Sequence, residues 1–151
     1  MAEYNITALK LFNNANKFIE AYHTVLQPIC RETGLPPMAV DILLFIANNP
    51  KNGTAKDICM FHGLKPGIVS VHVDRLVNED LLIRQGVPGD RRKTQLSCTE
   101  KSVPIIEEGR ELQKKFAQKL LVGLNDDDVA VFRNCLTVLA HNMENIRKNG
   151  I

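Results

Sequence analysis

Residues 86–96 read GVPGDRRKTQL: two glycines and a proline around one acid, Asp90, followed by three adjacent cations, Arg91, Arg92 and Lys93. Leu81 to Gln85 before this stretch and Lys93 to Ser97 at its end lose the helical period and predict two short strands. The Gly-Pro-rich segment joins them, so the cations belong at the tip of a β-hairpin. Three adjacent like charges repel one another, and an anionic partner is the usual reason for such a cluster; a plain solvated loop is the alternative. Asp90, one or two residues from two arginines, is expected to bond a guanidinium and fix the shape of the tip.

What lies upstream decides what the hairpin belongs to. Thr54 with Asp57 three residues later approximates a capping box and opens a short helix that ends at Gly63. Lys65-Pro66 opens the next helix, because proline's missing N–H has no partner at a first helical position in any case. That helix carries Val69, Val73 and Leu76 at i, i+4 and i+7 and runs to about Asp80. Before both lies a helix with Val40, Leu43, Leu44 and Ala47 on its buried side, stopped at Asn48-Asn49-Pro50. A short helix, a glycine-containing turn, a second helix and a basic hairpin are the parts of a winged helix-turn-helix. There the second helix enters the DNA major groove while the first braces it.

Both ends of the chain read as long amphipathic helices. Leu9, Phe12, Ala15, Ile19, Tyr22, Leu26 and Ile29 line one face of the first, which Gly34-Leu35-Pro36-Pro37 ends. Thr99-Glu100-Lys101 leads into a helix to about Val122 with Pro104 in its first turn. Asp126, Asp127 and Asp128 complement the dipole of the last helix, whose apolar side holds Val129, Phe132, Leu136, Leu139, Met143 and Ile146. Such stripes would be aggregation liabilities on a monomer, and Leu9, Phe12, Ile19, Phe132, Leu136, Leu139 and Met143 are the candidate dimerisation residues. The fold class expected is mostly α (α+β), a winged helix-turn-helix with long N- and C-terminal dimerisation helices. Residues 1–33 form the N-terminal dimerisation helix, and 36–100 the DNA-binding region, with its recognition helix at about 65–80 and wing at about 81–97. Residues 101–151 form the C-terminal linker and dimerisation helices, all within one structural domain.

A net charge of +2 is too small for a wholly basic coat, so any electrostatic footprint must come from local clustering. The four cysteines show no C-x-x-C spacing, and neither a signal region nor a membrane-length apolar run is evident, which reads as a cytoplasmic protein without membrane attachment. His23, His62, His72 and His141 are scattered, so no metal site is expected, and no cofactor. No nucleophile–base pair or phosphate-cradling loop points to an enzyme.

The expected partner is double-stranded DNA. Arg91 or Arg92 would enter a narrow minor groove and Lys93 pair with phosphate. With Val69, Val73 and Leu76 inward, the recognition helix presents Gly67, Ser70, Val71 and Asp74. That face lacks the arginine, asparagine and glutamine best suited to bidentate base contacts. Ile68 or Val71 would touch thymine methyls and Ser70 a base edge or phosphate, which points to an A·T-rich operator; loose sequence choice is the alternative. Thr54 and Lys65, near helix starts, suit phosphate. Arg75 reads either as a phosphate contact or as a surface salt bridge with Glu79 at i+4.

The run VSVHVDRLVNEDLLIRQGVPGDRRKTQLSCTEKS, residues 69–102, resembles the MarR family (multiple-antibiotic-resistance regulators). The shared pattern is Asp74-Arg75-Leu76 on the recognition helix, Asp90-Arg91-Arg92 at the wing tip and Thr99-Glu100-Lys101 opening the next helix. Two positions depart from it: Asp80 and Ser102 stand where the family usually carries glycine. The resemblance implies a homodimer that represses or activates transcription, released by a small lipophilic effector or by thiol oxidation. It also implies an effector pocket where the dimer helices meet the DNA-binding lobe, for which Phe12, Phe18, Tyr22, Ile42 and Phe45 are candidates, each equally readable as plain core. Cys30 and Cys59 are the candidate redox thiols. The readings that compete with an effector-controlled repressor are a thiol-based redox regulator and a winged-helix protein-interaction module.

Overall fold

Thr7 caps the first helix, α1 (Ala8–Val25), by accepting the Lys10 amide. The computed structural model describes residues 7–151, so residues 1–6 of the expected 1–33 helix lie outside the described residues. The single helix expected through this segment is two. A second helix, α2 (Gln27–Thr33), begins after Leu26 with Pro28 in its first turn. Proline has no amide to send back to the preceding turn and its ring crowds it, so the run breaks there.

Next come α3 (Pro37–Asn48), α4 (Ala55–His62) and α5 (Pro66–Asn78). The Thr54–Asp57 capping box is present in both directions at the start of α4. Strands β1 (Leu82–Val87) and β2 (Asp90–Cys98) pair antiparallel, from Leu82 opposite Cys98 to Gly86 opposite Thr94. A 3₁₀ turn over Glu100–Ser102 leads into α6 (Val103–Leu120), with Pro104 in its first turn as expected. The last helix, α7 (Asp126–Asn149), opens on a second capping box, Asn125 with Asp128.

The chain divides into two compact units, residues 1–116 and 117–151. The first has α3 at its centre, where Val40, Ile42, Leu43 and Leu44 are fully buried. Around it pack Leu26 and Ile29, Ile58 of α4, Val69 and Leu76 of α5, the strand residues Leu82 and Leu96, and Ile106 of α6. The wing root is tied to the turn before α4, since the Leu96 amide donates to the Gly53 carbonyl (2.8 Å) and the Gln95 side chain to the Pro50 carbonyl (3.0 Å). A Cβ on residue 53 would lie 2.6 Å from the Leu96 carbonyl oxygen, so this close approach requires glycine. In the second unit α7 buries none of its side chains, and Phe132, Leu136, Leu139 and Met143 are exposed on it.

The two departures from the family pattern have local solutions. Asp80 takes the left-handed conformation of a glycine (φ 58°), and its carbonyl accepts from the Thr99 hydroxyl at 2.6 Å. Ser102 is fully buried, and its hydroxyl donates to the Thr99 carbonyl at 2.6 Å, so the added polar group is satisfied within its own turn.

Candidate nucleic-acid interface

On α5 the buried side is Val69, Val73 and Leu76, and the opposite face is open. Gly67, Ile68, Ser70, Val71 and Asp74 are exposed, with Val71 at 67% despite being apolar. Lys65 occupies the N-cap position and is exposed.

At the wing tip, Pro88 and Gly89 form the two central residues of a turn between the paired Val87 and Asp90. Gly89 has φ 86°, as the second central position of a type II turn requires. The register then jumps: Val87 lies opposite Asp90, while its neighbour Gly86 lies opposite Thr94. Arg91, Arg92 and Lys93 therefore have no opposite residue in β1. They form an extended bulge, and all three are exposed. Among the described residues none of them forms an ion pair. Asp90 fixes the tip, but through the backbone: its carboxylate accepts the Arg92 amide at 2.9 Å, in the i to i+2 geometry of an Asx turn, instead of the guanidinium expected. The guanidinium is left pointing outward for use elsewhere.

Two braces hold the reading head. Arg84 of β1 pairs with Asp74 of α5, tying the wing root to the recognition helix and covering the acid on its exposed face. Arg75 donates to Glu79 (3.1 Å) and to the Gly34 carbonyl (2.6 Å), so its guanidinium links α5 to the turn between α2 and α3. Both sequence readings of Arg75 omitted the Gly34 contact, which spans 41 residues and leaves no local trace. His72 is lowered from the ordinary histidine range by burial and by the Arg75 charge. The Thr54 hydroxyl accepts the Asp57 amide (3.2 Å) and donates to its carboxylate (2.6 Å), so it is committed to the cap. A groove of about 730 Å³ runs between the start of α4 and the wing, and Lys51, Lys56, Arg92 and Lys93 supply its cations. Lys51 and Lys56 were not singled out from sequence, since each is an isolated surface lysine until the fold sets it opposite the wing.

Behind the reading head lies a cavity of about 480 Å³. Of the five effector-pocket candidates, Phe18, Tyr22 and Phe45 line it, joined by Met38, Asp41, Phe61, His62, Gln113 and Phe116. Ile42 is fully buried in the core, and Phe12 is exposed beside a separate shallow depression with Leu9 and Asn13. Phe116 packs against Phe18 and Tyr22 with ring centroids 5.4 Å apart in each case, and Phe45 against Phe61 at 4.7 Å. The polar wall is a His62–Asp41 contact, Nε2 to Oδ2 at 3.2 Å, between side chains only 9% and 18% exposed. Gln113 donates to the Tyr22 hydroxyl at 2.7 Å. The hydrogen bond to Asp41 raises the pKa of His62 despite an opposing effect of burial. Burial, then the Asp41 charge, push the Tyr22 phenol far above its usual range, so it is neutral.

The remaining candidates sit apart. Leu9, Phe12 and Ile19 are exposed on α1, which buries none of its residues, although Ile19 also borders the aromatic cavity. Cys30 and Cys59 are half-buried free thiols, and burial pushes Cys30 up, away from the reactive thiolate. Among the described residues no group of three or more His, Cys, Asp or Glu is placed to hold a metal ion, and no helix is long and apolar enough to cross a membrane.

A sequence model of the MarR family matches residues 33–93, from the end of α2 to the basic bulge. The fold recurs in solved structures. Transcriptional regulator PA3341 superposes with a TM-score of 0.78 at 20% identity, over 89% of this chain and 98% of that one. MepR from S. aureus, crystallised with DNA, gives 0.74 at 16% identity over 93% and 99%. A mutant MarR from E. coli in complex with operator DNA gives 0.66 at 19% identity over 86% and 93%.

Proposed function

We propose that this chain is a winged-helix DNA-binding transcriptional regulator of the MarR family and acts as a homodimeric repressor on a pseudo-palindromic, A·T-rich operator. One observation carries the reading: three exposed cations, free of ion pairs among the described residues, bulge from the wing beside a recognition helix whose outer face is open. Arg91 and Arg92 enter the minor groove, and Lys93, Lys65 and the lysines at the start of α4 meet phosphates. Ile68 and Val71 meet thymine methyls, and Ser70 a base edge or phosphate. Reading heads in a two-fold dimer must stand about 34 Å apart to meet successive major grooves. At 1.5 Å per residue α7 is about 36 Å long, a suitable strut. The uncovered apolar faces of α1 and α7 supply the contact between subunits. A small lipophilic effector in the aromatic cavity would change the spacing of the two heads and release the operator.

Selection of bound sequences from random duplexes, followed by a salt series on the winner, tests the reading. The expected outcome is an A·T-rich inverted repeat whose log affinity falls linearly with log salt. G·C-rich cores would overturn the base-reading, and indifference to every duplex at low ionic strength would overturn the whole proposal.

A further inference from the structure

The cavity that holds Asp41 and His62 carries a carboxylate whose partner is a titratable imidazole and not a permanent cation. Its body is aromatic, and among the described residues neither lysine nor arginine lines it. Among the described residues Asp41 is the one carboxylate in the lining. The Arg110 guanidinium, on the neighbouring α6, is used on the Asn48 side chain (3.0 Å) and the Ala47 carbonyl (3.2 Å). The Tyr22 phenol is neutral and receives the Gln113 amide. An organic acid entering this space would meet the Asp41 carboxylate across a wall of low polarity, with no lysine or arginine aimed at it and the His62 imidazole already bonded to Asp41. A cation would meet the carboxylate and the faces of several rings, both attractive.

We propose that the cavity takes a lipophilic organic cation, an aromatic-bodied molecule with a protonated amine or onium centre, in preference to an acid of the same size. This rests on the effector-responsive reading above and adds the sign of the effector's charge. His62 makes the site responsive to pH. Around its imidazole stand the Asp41 carboxylate of α3, the Ile58 carbonyl of its own helix, and the rings of Phe45 and Phe61. His23 of α1 is the other titratable imidazole in the lining. A cation at Asp41 competes with the proton on His62, so binding releases that proton and strengthens as pH rises. Because Phe61 and His62 belong to α4, which packs on α5, an occupant of the cavity bears directly on the helix that supports the reading head.

The test uses the full chain with tetraphenylphosphonium and tetraphenylborate, two ions of nearly one shape and opposite charge, in equilibrium dialysis at fixed ionic strength. The phosphonium should bind saturably and at least about tenfold more tightly than the borate. Its affinity should rise between about pH 5.5 and 8. Asp41→Asn should bring the preference below about threefold, and His62→Gln should keep the preference while flattening the pH dependence. Equal or tighter borate binding, no saturable phosphonium binding, or a preference that survives Asp41→Asn in a protein melting like the parent would each overturn the proposal. Should Asp41→Asn fail to fold, the parent's ion ratio and the His62→Gln pH profile still decide. Duplex binding is measured in parallel: its absence sinks the regulator reading, whereas duplex binding without phosphonium binding sinks this inference alone.

Discussion

Two residues show how a single side chain is used against its intrinsic preference. Asp80 holds φ 58°, where a Cβ crowds the following carbonyl. That conformation costs an ordinary L-residue roughly 1–2 kcal/mol, and aspartate somewhat less. Asp80→Gly should therefore stabilise the protein by about 0.5–1 kcal/mol and Asp80→Val destabilise it by about 1–2 kcal/mol, read from denaturant midpoints. A glycine variant no more stable than the parent would show that the turn bears no strain. His62 is raised, mainly by its bond to Asp41, so folding favours the protonated imidazole. The stability this contributes is fully present below the unfolded-state pKa of about 6.5 and is lost as pH rises through the higher folded-state value. His72, lowered by burial and by Arg75, acts in the opposite sense and costs stability as pH falls. The quantity to measure is thus the stability difference between the parent and His62→Gln. It should be largest near about pH 5.5 and shrink by about pH 8; a difference that is flat with pH would mean that the ion pair is not protonation-linked.

At the scale of elements, the helices other than the α1–α2 break were legible in the sequence because their ends are encoded within four residues. Thr54 with Asp57, Pro66 at the start of α5 and Gly63 at the end of α4 all act locally. The bulge was not legible, because strand pairing is set by what lies across the hairpin, and no local rule says that Gly86 will face Thr94 while Val87 faces Asp90. For the same reason the Arg84–Asp74 brace, the Arg75–Gly34 link and the Asp41–His62 pair became visible only in the folded chain. The wing's architecture separates charge from shape. Arg92→Ala should lower the slope of log affinity against log salt by about one unit while leaving the melting temperature unchanged. Asp90→Ala removes a negative charge, so electrostatics alone predicts tighter DNA binding. Loss of the carboxylate that holds the Arg92 amide should instead weaken binding several-fold by loosening the tip, at nearly constant salt slope. Tighter binding would assign Asp90 no structural role.

For the whole molecule, the decisive feature is apolar surface that a single chain leaves in water. The helix α1 exposes Leu9, Phe12 and Ile19, and α7 exposes Phe132, Leu136, Leu139 and Met143. Neither helix buries any of its own residues among those described. Burial of such side chains is worth about 25 cal/mol per Å², so covering two such faces in a pair of subunits is a sufficient drive for assembly. The stripes were legible from sequence by their three- and four-residue spacing. Sedimentation at micromolar concentration should give twice the single-chain mass of 16.9 kDa. Leu136→Asp with Leu139→Asp places two charges on the α7 face without touching the core around α3, so the variant should keep its cooperative melting transition while sedimenting as a single chain. Its operator affinity should fall by at least about a hundredfold, because one reading head alone lacks the second half-site. A variant that sediments as a dimer would move the subunit contact away from α7. One that is monomeric yet binds the operator as tightly as the parent would show that recognition does not need two heads.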